Sequence, residues 1–195
     1  RTRAPSARPG HPREEREALS DFDFASRIID IPDYPEPGVV FKDITPLFDD
    51  PEALRAVVDD IAGHFEGRGI TKVVGAEARG FLIGAPVAYR LGCGFVPARK
   101  PGKLPRAVYS QSYSLEYGTD EIQIHRDALT PEDRVLVVDD LVATGGTAVA
   151  AARLVEQSGA EVEGFAFILE LAFLKPREVI SEACDHEVYT LVKVS

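Results

Sequence analysis

Short apolar segments alternate with helical patterns through most of the chain, and this alternation restricts the possible folds more than any other feature. The segments 72–76 and 94–98 have the length and the Val and Ala content of short strands buried on both faces. The small-residue-rich stretch 79–91 between them has the length of a helix and is followed by Gly92. Strands that alternate with helices predict an α/β fold, a mostly parallel sheet flanked by helices.

Further elements follow the same pattern. The predicted strands of this core are 72–76, 94–98, 134–138, 161–171 and 187–194, and the predicted helices are 79–91, 146–157 and 176–183. A preceding helix begins at Pro51, with Asp50 as its N-cap, and has apolar residues at helical spacing as far as Phe65. Two more strands, 108–117 and 121–125, are separated by a Gly-Thr-Asp turn and predict a β-hairpin outside that core.

The N-terminal region differs in composition. Residues 1–13 hold three prolines, four arginines and no large apolar residue, which predicts a disordered tail. The alternative is a basic arm or a transit peptide, which the glutamates that follow disfavour. Apolar residues within 14–29 fit a helix, and the prolines within 32–46 predict a shaped loop without regular structure. We expect one domain over 14–195, of which 14–50 is an N-terminal segment.

Charge and apolar content argue against several classes of function. The 195 residues include 22 Lys and Arg against 32 Asp and Glu, a formal net charge of −10, whereas a general nucleic-acid binder has a basic surface. The apolar stretch 165–174 is shorter than the roughly 20 residues of a membrane span. Cys93 and Cys184 form no metal-binding motif, and the first 20 residues contain no secretory signal. We expect a cytoplasmic protein that binds neither nucleic acid nor membranes.

The stretch 134–147 carries the clearest chemical signal. A buried strand leads to two carboxylates, followed by a turn with two glycines and a helix. In open α/β sheets, ligands bind at the carboxyl ends of the strands. Backbone amides and threonine hydroxyls at such a helix start suit a phosphate, whereas carboxylates suit sugar hydroxyls or positive charge on a sugar ring. The segment predicts a ribose 5-phosphate site, formed by Asp139, Asp140, Ala143, Thr144, Gly145, Gly146 and Thr147.

Neither a P-loop nor a G-x-G-x-x-G motif is present. Residues 137–147 (VVDDLVATGGT) instead resemble the phosphoribosyl-pyrophosphate motif of the type I phosphoribosyltransferases. Further segments resemble the adenine-specific members of that family, namely 32–46 (PDYPEPGVVFKDITP), 77–81 (EARGF), 99–105 (RKPGKLP) and 113–118 (YSLEYG). The resemblance covers about 20–193. It implies a Rossmann-like α/β fold in which 14–50 is a base-binding hood and the hairpin is a flexible loop.

The resemblance implies transfer of the phosphoribosyl group of 5-phosphoribosyl 1-pyrophosphate to adenine, which yields AMP and pyrophosphate. It implies a homodimer, and Mg²⁺ held mainly by substrate oxygens rather than by protein ligands. The implied catalytic residues are Glu116, Asp139 and Asp140. The implied pyrophosphate-binding residues are Arg79, Arg99, Lys100 and Lys103, and the implied adenine-binding residues are Val40, Phe41 and Lys42.

Several alternatives stay open. Phe41 is either a stacking partner of adenine or a core residue, and Lys103 either binds pyrophosphate or lies in a solvated turn. Lys42 stands where the family often has Arg. Glu116 either takes up the proton lost from adenine or orders the closed loop. The second functional hypothesis is a phosphoribosyltransferase for hypoxanthine, guanine or xanthine. A third is a non-catalytic regulator that senses phosphoribosyl pyrophosphate, but no basic helix-turn-helix segment precedes the core.

Overall fold

A five-stranded parallel sheet lies at the centre of the computed structural model, which describes residues 22–114 and 118–195. The strands are β1 (Ile29–Pro32), β2 (Val40–Asp43), β3 (Lys72–Ala76), β4 (Gly94–Ala98), β5 (Val108–Ser114), β6 (Thr119–His125), β7 (Arg134–Val142), β8 (Glu161–Leu171) and β9 (Val188–Val194). The helices are α1 (Pro46–Asp49), α2 (Pro51–Phe65), α3 (Arg79–Leu91), α4 (Gly146–Gln157) and α5 (Pro176–Ala183), and short 3-10 turns cover Ala25–Arg27 and Ala172–Leu174.

The central sheet has the strand order β4-β3-β7-β8-β9, and all of its pairs are parallel. Alternate residues of β7 enter two separate cores. Leu136 and Val138 pack with α2 and α3 on one face, and Val135 and Val137 pack with α4, α5 and the β5–β6 hairpin on the other. This arrangement confirms the predicted α/β fold with helices on both faces. In the described ranges, no helix combines the length and the apolar character needed to cross a membrane.

Local sequence signals set the helix ends as predicted. Asp50 Oδ1 accepts the backbone N–H groups of Glu52 at 2.8 Å and Ala53 at 3.1 Å, and Pro51 occupies the first position of α2. At the end of α3, Gly92 adopts a left-handed φ of +74°, which favours glycine. The observed bounds of β3, α3, β4, α4, β8 and α5 coincide with the predicted ones.

The prediction for the N-terminal region was wrong where the structure describes it. The helix expected over 14–29 is replaced, after residue 21, by the 3-10 turn and the start of β1. The proline-rich segment 32–46, expected to lack regular structure, contains the last residue of β1 and all of β2, which pair as an antiparallel hairpin. Pro32 is tolerated because it ends an edge strand, where a missing N–H breaks little of the ladder. Asp33 Oδ1 closes the turn by accepting the N–H of Gly38 at 2.7 Å. The predicted tail over 1–13 lies outside the described residues.

Strand β7 is longer than predicted. The sequence indicates a strand over 134–138 with the two carboxylates beyond it, but β7 continues to Val142 and includes both. The parallel partner β8 extends just as far, with Asp139 opposite Phe167 and Val142 opposite Glu170. A neighbouring strand thus overrides the low strand propensity of aspartate. The β5–β6 hairpin is present, but it is not outside the core as predicted, because Ile122 and Ile124 of β6 are buried in the core on the α4 face of the sheet. Residues 115–117 at its tip lie outside the described part of the chain.

Candidate active site

The loop after β7, here called the phosphate loop (residues 143–147), turns directly into the first turn of α4. Gly145 has a φ of +89°, a conformation that residues with side chains rarely adopt. A Cβ at this position would also lie 3.0 Å from the carbonyl oxygen of Pro176 and 3.4 Å from atoms of Val179 and Ile180. No side chain caps the N-terminus of α4, so the amides of its first turn have no side-chain acceptor. They suit an anion.

A cavity of about 270 Å³ opens beside this loop at the carboxyl edge of the sheet. All seven residues predicted to bind ribose 5-phosphate line it. The other lining residues come from the β3–α3 loop (Glu77, Ala78 and Arg79), from the β5–β6 hairpin (Tyr113 and Ile122), from β8 (Phe167) and from the flanks of the phosphate loop (Leu141, Val142 and Ala148). The structure therefore brings the predicted phosphate, sugar and pyrophosphate elements to one place.

The two neighbouring carboxyl groups of β7 are poorly solvated. Asp139 Oδ1 accepts the backbone N–H of Asp140 at 2.9 Å. Burial raises the pKa of Asp139 well above its ordinary value, and the charge of Asp140 raises it further. Burial also raises the pKa of Asp140, against the opposing charge of Arg79. Two ionised carboxylates in such a place are costly without a positive partner, so the pair is suited to stabilise positive charge in the cavity.

Arg79 is the only predicted pyrophosphate-binding residue that lines the described cavity. Its Nε lies 3.0 Å from Oδ2 of Asp140, but Oδ2 is buried and makes no hydrogen bond within the described part of the chain. The contact is therefore a charge pair without hydrogen-bond geometry. The guanidinium carbon also lies 5.9 Å from the centre of the Phe41 ring. Arg79 thus stands between the carboxylates and the N-terminal hairpin, with its side chain about half exposed.

The other three basic candidates lie outside the cavity lining. Arg99 donates from Nε and Nη2 to the two carboxylate oxygens of Glu77, each at 3.2 Å. Lys100 Nζ binds the carboxylate of Asp120 and the hydroxyl of Tyr113, and Lys103 is exposed in the turn. Acidic partners from distant parts of the sequence therefore engage Arg99 and Lys100 in this structure. Their predicted role at pyrophosphate remains a prediction.

The predicted adenine-binding residues all lie on β2. Val40 is 50% exposed. Phe41 is partly exposed and belongs to neither core cluster of the described residues, which disfavours the core interpretation. Its ring meets the ring of Tyr34 edge to face at a centroid distance of 5.3 Å. Lys42 Nζ contacts both carboxylate oxygens of Asp30 at 2.7 Å, so its side chain is engaged within the hairpin. Glu116 lies outside the described residues.

Sequence reasoning missed the role of Gly80, in the first turn of α3. A Cβ at Gly80 would stand 2.6 Å from Oδ1 of Asp139 and 3.3 Å from the carbonyl oxygen of Val138. Real Cβ atoms do not approach so closely, and Asp139 is half-buried between β7 and α3. The absence of a side chain at Gly80 is what leaves room for the carboxylate. The only signal in the sequence was the position of this glycine next to Arg79.

We therefore expect Gly80→Ala to lower kcat about tenfold, because the added methyl group displaces the Asp139 carboxylate from its position in the cavity. Steady-state kinetics checks this. Gly63→Ala is the matched control, since Gly63 lies in α2 and a Cβ there would meet nothing within 4 Å. That variant should keep full activity and gain stability, as alanine favours helix. Equal activity of Gly80→Ala and the native protein would contradict the steric argument.

Comparisons with known proteins agree with this geometry. Residues 44–182 match the phosphoribosyl transferase domain family. The adenine phosphoribosyltransferase of Streptomyces clavuligerus is 60% identical over 152 residues, which are 78% of this chain and 85% of that protein. The crystal structure of adenine phosphoribosyltransferase from Thermoanaerobacter pseudethanolicus has a TM-score of 0.83 and 47% identity, and the match covers 88% of this chain and 98% of that one.

A third relative carries ligands. The Saccharomyces cerevisiae adenine phosphoribosyltransferase, solved with adenine and an imino-altritol bisphosphate, has a TM-score of 0.82 and 36% identity over 90% of this chain and 99% of that one. The domain match covers well over half of the chain, and the relatives are matched over most of their length. The chain therefore belongs to the phosphoribosyltransferase family, among its adenine phosphoribosyltransferases.

Proposed function

We propose that this protein transfers the phosphoribosyl group of 5-phosphoribosyl 1-pyrophosphate to adenine and releases AMP and pyrophosphate, as in purine salvage. The observation that carries the proposal is the single cavity shared by the phosphate loop, the Asp139–Asp140 pair and Arg79. The names of the relatives support adenine as the acceptor base.

In this mechanism the phosphate loop holds the 5-phosphate by its backbone amides and by the hydroxyls of Thr144 and Thr147. Asp139 and Asp140 accept hydrogen bonds from the ribose hydroxyls. When the bond from the anomeric carbon to pyrophosphate breaks, positive charge develops on the sugar ring, and the two carboxylates stabilise it. Arg79 stabilises the negative charge that leaves with pyrophosphate. The positive charge on the sugar and the negative charge on pyrophosphate are thus each stabilised by protein groups of opposite charge.

The base enters between this cavity and the N-terminal hairpin. Phe41 is suited to stack on the adenine ring because it is partly exposed and close to Arg79. Val40 and Lys42 are proposed to contact the base edge through their backbone, since the Lys42 side chain is engaged with Asp30. A nitrogen of adenine forms the new bond to the anomeric carbon and loses its proton. Glu116 is proposed to accept that proton.

The residues of the cavity also fit Mg²⁺ bound through the substrate. No group of three His, Cys, Asp or Glu side chains capable of holding a metal occurs among the described residues. The buried Oδ2 of Asp140, which has no hydrogen-bond partner among them, would accept a hydrogen bond from a metal-bound water. Such a donor set suits a cation that keeps its waters and binds mainly to phosphate oxygens. When bound, Mg²⁺ would neutralise part of the charge on pyrophosphate.

The direct test is formation of AMP from adenine and 5-phosphoribosyl 1-pyrophosphate, with and without Mg²⁺, and with hypoxanthine, guanine and xanthine as alternative bases. We expect turnover with adenine that depends on Mg²⁺. Faster turnover with another purine would instead support the second hypothesis. Binding of 5-phosphoribosyl 1-pyrophosphate without any turnover would contradict the enzymatic function.

The proposed enzyme is cytoplasmic and homodimeric. Cys93 and Cys184 are free thiols, as is typical of reducing compartments.

The proposed dimer would bury an apolar surface on α3. Leu82 and Tyr89 lie two turns apart on this helix and are 53% and 74% exposed, so a second copy of the chain would cover them.

We expect Leu82→Asp to convert the dimer into monomers, because a charge placed in an apolar interface loses its hydration without gaining a partner. Analytical ultracentrifugation measures the change from twice the chain mass to once that mass. Phe173→Asp is the control, since Phe173 is 59% exposed in the 3-10 turn after β8, and this variant should stay dimeric. A native protein that sediments as a monomer at micromolar concentration would refute the dimer.

A further inference from the structure

Behind the phosphate loop, a buried carboxylate forms an ion pair with a partly exposed arginine, and the proposed mechanism does not use this pair. Glu170, near the end of β8, is 2% exposed. Arg177 in α5 donates from Nε to Oε1 at 2.9 Å and from Nη2 to Oε2 at 2.8 Å. Nη1 of Arg177 donates to the carbonyl oxygen of Val188 in β9 at 2.7 Å, and the Thr190 hydroxyl donates to Glu170 Oε2 at 3.1 Å. One guanidinium thus ties α5 to two strands.

Both members of the pair sit next to structural supports of the phosphate loop. Glu170 is the parallel partner of Val142, the last residue of β7 before the loop. Arg177 lies in the first turn of α5, the helix whose Pro176 carbonyl, Val179 and Ile180 fill the space behind Gly145. These three close contacts, together with the positive φ, disfavour a side chain at Gly145. A small movement of α5 would therefore change the loop at its most constrained residue.

The electrostatics favours a permanently charged pair. Burial alone would raise the pKa of Glu170. The hydrogen bonds and charge of Arg177 lower it, as do the hydrogen bond from Thr190 and the charge of Lys193. Together they hold the pKa of Glu170 below its ordinary value. Lys193 Nζ is 3.9 Å from Oε2. Buried ion pairs contribute little net stability compared with well-packed apolar residues. A bidentate arginine does impose a definite geometry on the two elements it joins.

We propose that Glu170 and Arg177 are positioning residues for the phosphate loop. They fix α5 against the sheet, so that the backbone around Gly145 keeps the shape that binds the 5-phosphate of the substrate. The inference rests on the proposed function for the identity of the ligand. It predicts that loss of the pair weakens binding of the phosphoribosyl substrate while leaving recognition of the base intact.

The test uses Glu170→Gln, which keeps the shape but removes the charge, and Arg177→Met. For each variant, kcat, the KM of both substrates and the Kd of ribose 5-phosphate by calorimetry are measured, with circular dichroism to show that the protein is folded. We expect the KM for 5-phosphoribosyl 1-pyrophosphate and the Kd of ribose 5-phosphate to rise about tenfold. The KM for adenine at saturating 5-phosphoribosyl 1-pyrophosphate should change less than twofold.

The matched control is the ion pair between Arg90 of α3 and Asp59 of α2, with Nε and Oδ1 2.8 Å apart and Asp59 similarly buried. It lies at the far end of α3 from Arg79. Asp59→Asn should lower stability and leave both phosphoribosyl constants unchanged. The proposal is overturned if Glu170→Gln leaves both constants unchanged, or if Asp59→Asn raises them equally. Failure of the native protein to make AMP would refute the proposed function, while ribose 5-phosphate binding would still test the positioning role.

Discussion

Asp140→Ala is expected to lower kcat/KM by about two to three orders of magnitude, the usual effect of removing one preorganised group that stabilises transition-state charge. Asp140 has a buried oxygen without a hydrogen-bond partner among the described residues, next to Arg79. In the proposed reaction this oxygen gains a hydrogen-bond partner when the substrate binds, and it then stabilises the positive charge that develops on the sugar. The loss should therefore appear mainly in kcat, with the KM for adenine nearly unchanged. Steady-state kinetics with both substrates measures it.

The control for this variant is Asp133→Asn at the other end of β7. Asp133 is also buried, and it accepts hydrogen bonds from the Thr71 hydroxyl at 2.7 Å and from the Thr130 N–H at 2.8 Å. Its replacement should cost about 1–3 kcal/mol of stability and leave kcat unchanged. Full activity of Asp140→Ala would exclude the role at the ribose. A kcat loss in Asp133→Asn equal to that in Asp140→Ala would show that the effect is general to buried aspartates.

Asp139→Asn is expected to lower kcat at least 100-fold and at the same time to stabilise the fold at neutral pH. Burial and the adjacent charge of Asp140 raise the pKa of Asp139 well above its ordinary value. The folded state therefore binds the proton more tightly than the unfolded state does. The resulting stability is fully present below the unfolded pKa of about 3.9 and is lost as the pH rises through the raised folded pKa. Asparagine does not ionise, so the Asp139→Asn variant does not lose this stability as the pH rises.

The difference in the free energy of unfolding between Asp139→Asn and the native protein should consequently be small near pH 4 and grow toward pH 8. Each unit by which the folded pKa is raised corresponds to about 1.4 kcal/mol. Urea denaturation at a series of pH values measures this difference. Asp127→Asn is the control, because Asp127 is exposed and pairs only at the surface with Arg106; it should show no trend. A stability difference independent of pH would contradict the raised pKa.

The elements that the sequence predicts well are those whose signals are local. Asp50 and Pro51 mark the start of α2 and Gly92 the end of α3, because capping depends on adjacent residues. The β1–β2 hairpin was not predictable in the same way. Its prolines argue against a strand, and only the pairing of Ile29–Pro32 with Val40–Asp43 compensates for them. Likewise, β8 extends β7 through two aspartates that on their own favour a loop.

In the candidate site, too, the features with local sequence signals could be predicted and those that depend on contacts between distant elements could not. The phosphate loop is contiguous in sequence, so its glycines and carboxylates could be identified together. The basic turn could be identified as a cluster of charge, but the acidic partners of Arg99 and Lys100, which are Glu77 and Asp120, come from other elements. Gly80 and the Glu170–Arg177 pair act through contacts with residues from other elements, and the local sequence does not predict those contacts.

The hairpin β1–β2 forms a two-stranded ribbon of its own and does not pair with the central sheet. If Val40, Phe41 and Lys42 contact the base as proposed, the ribbon selects the nucleobase and the central sheet binds the sugar phosphate. The two tasks then belong to separate structural units. Evolution can exchange residues of the ribbon to accept a different purine while the strand ends that hold the pentose stay untouched. Transplanting such a ribbon between related enzymes is accordingly a rational route to redesigned base preference.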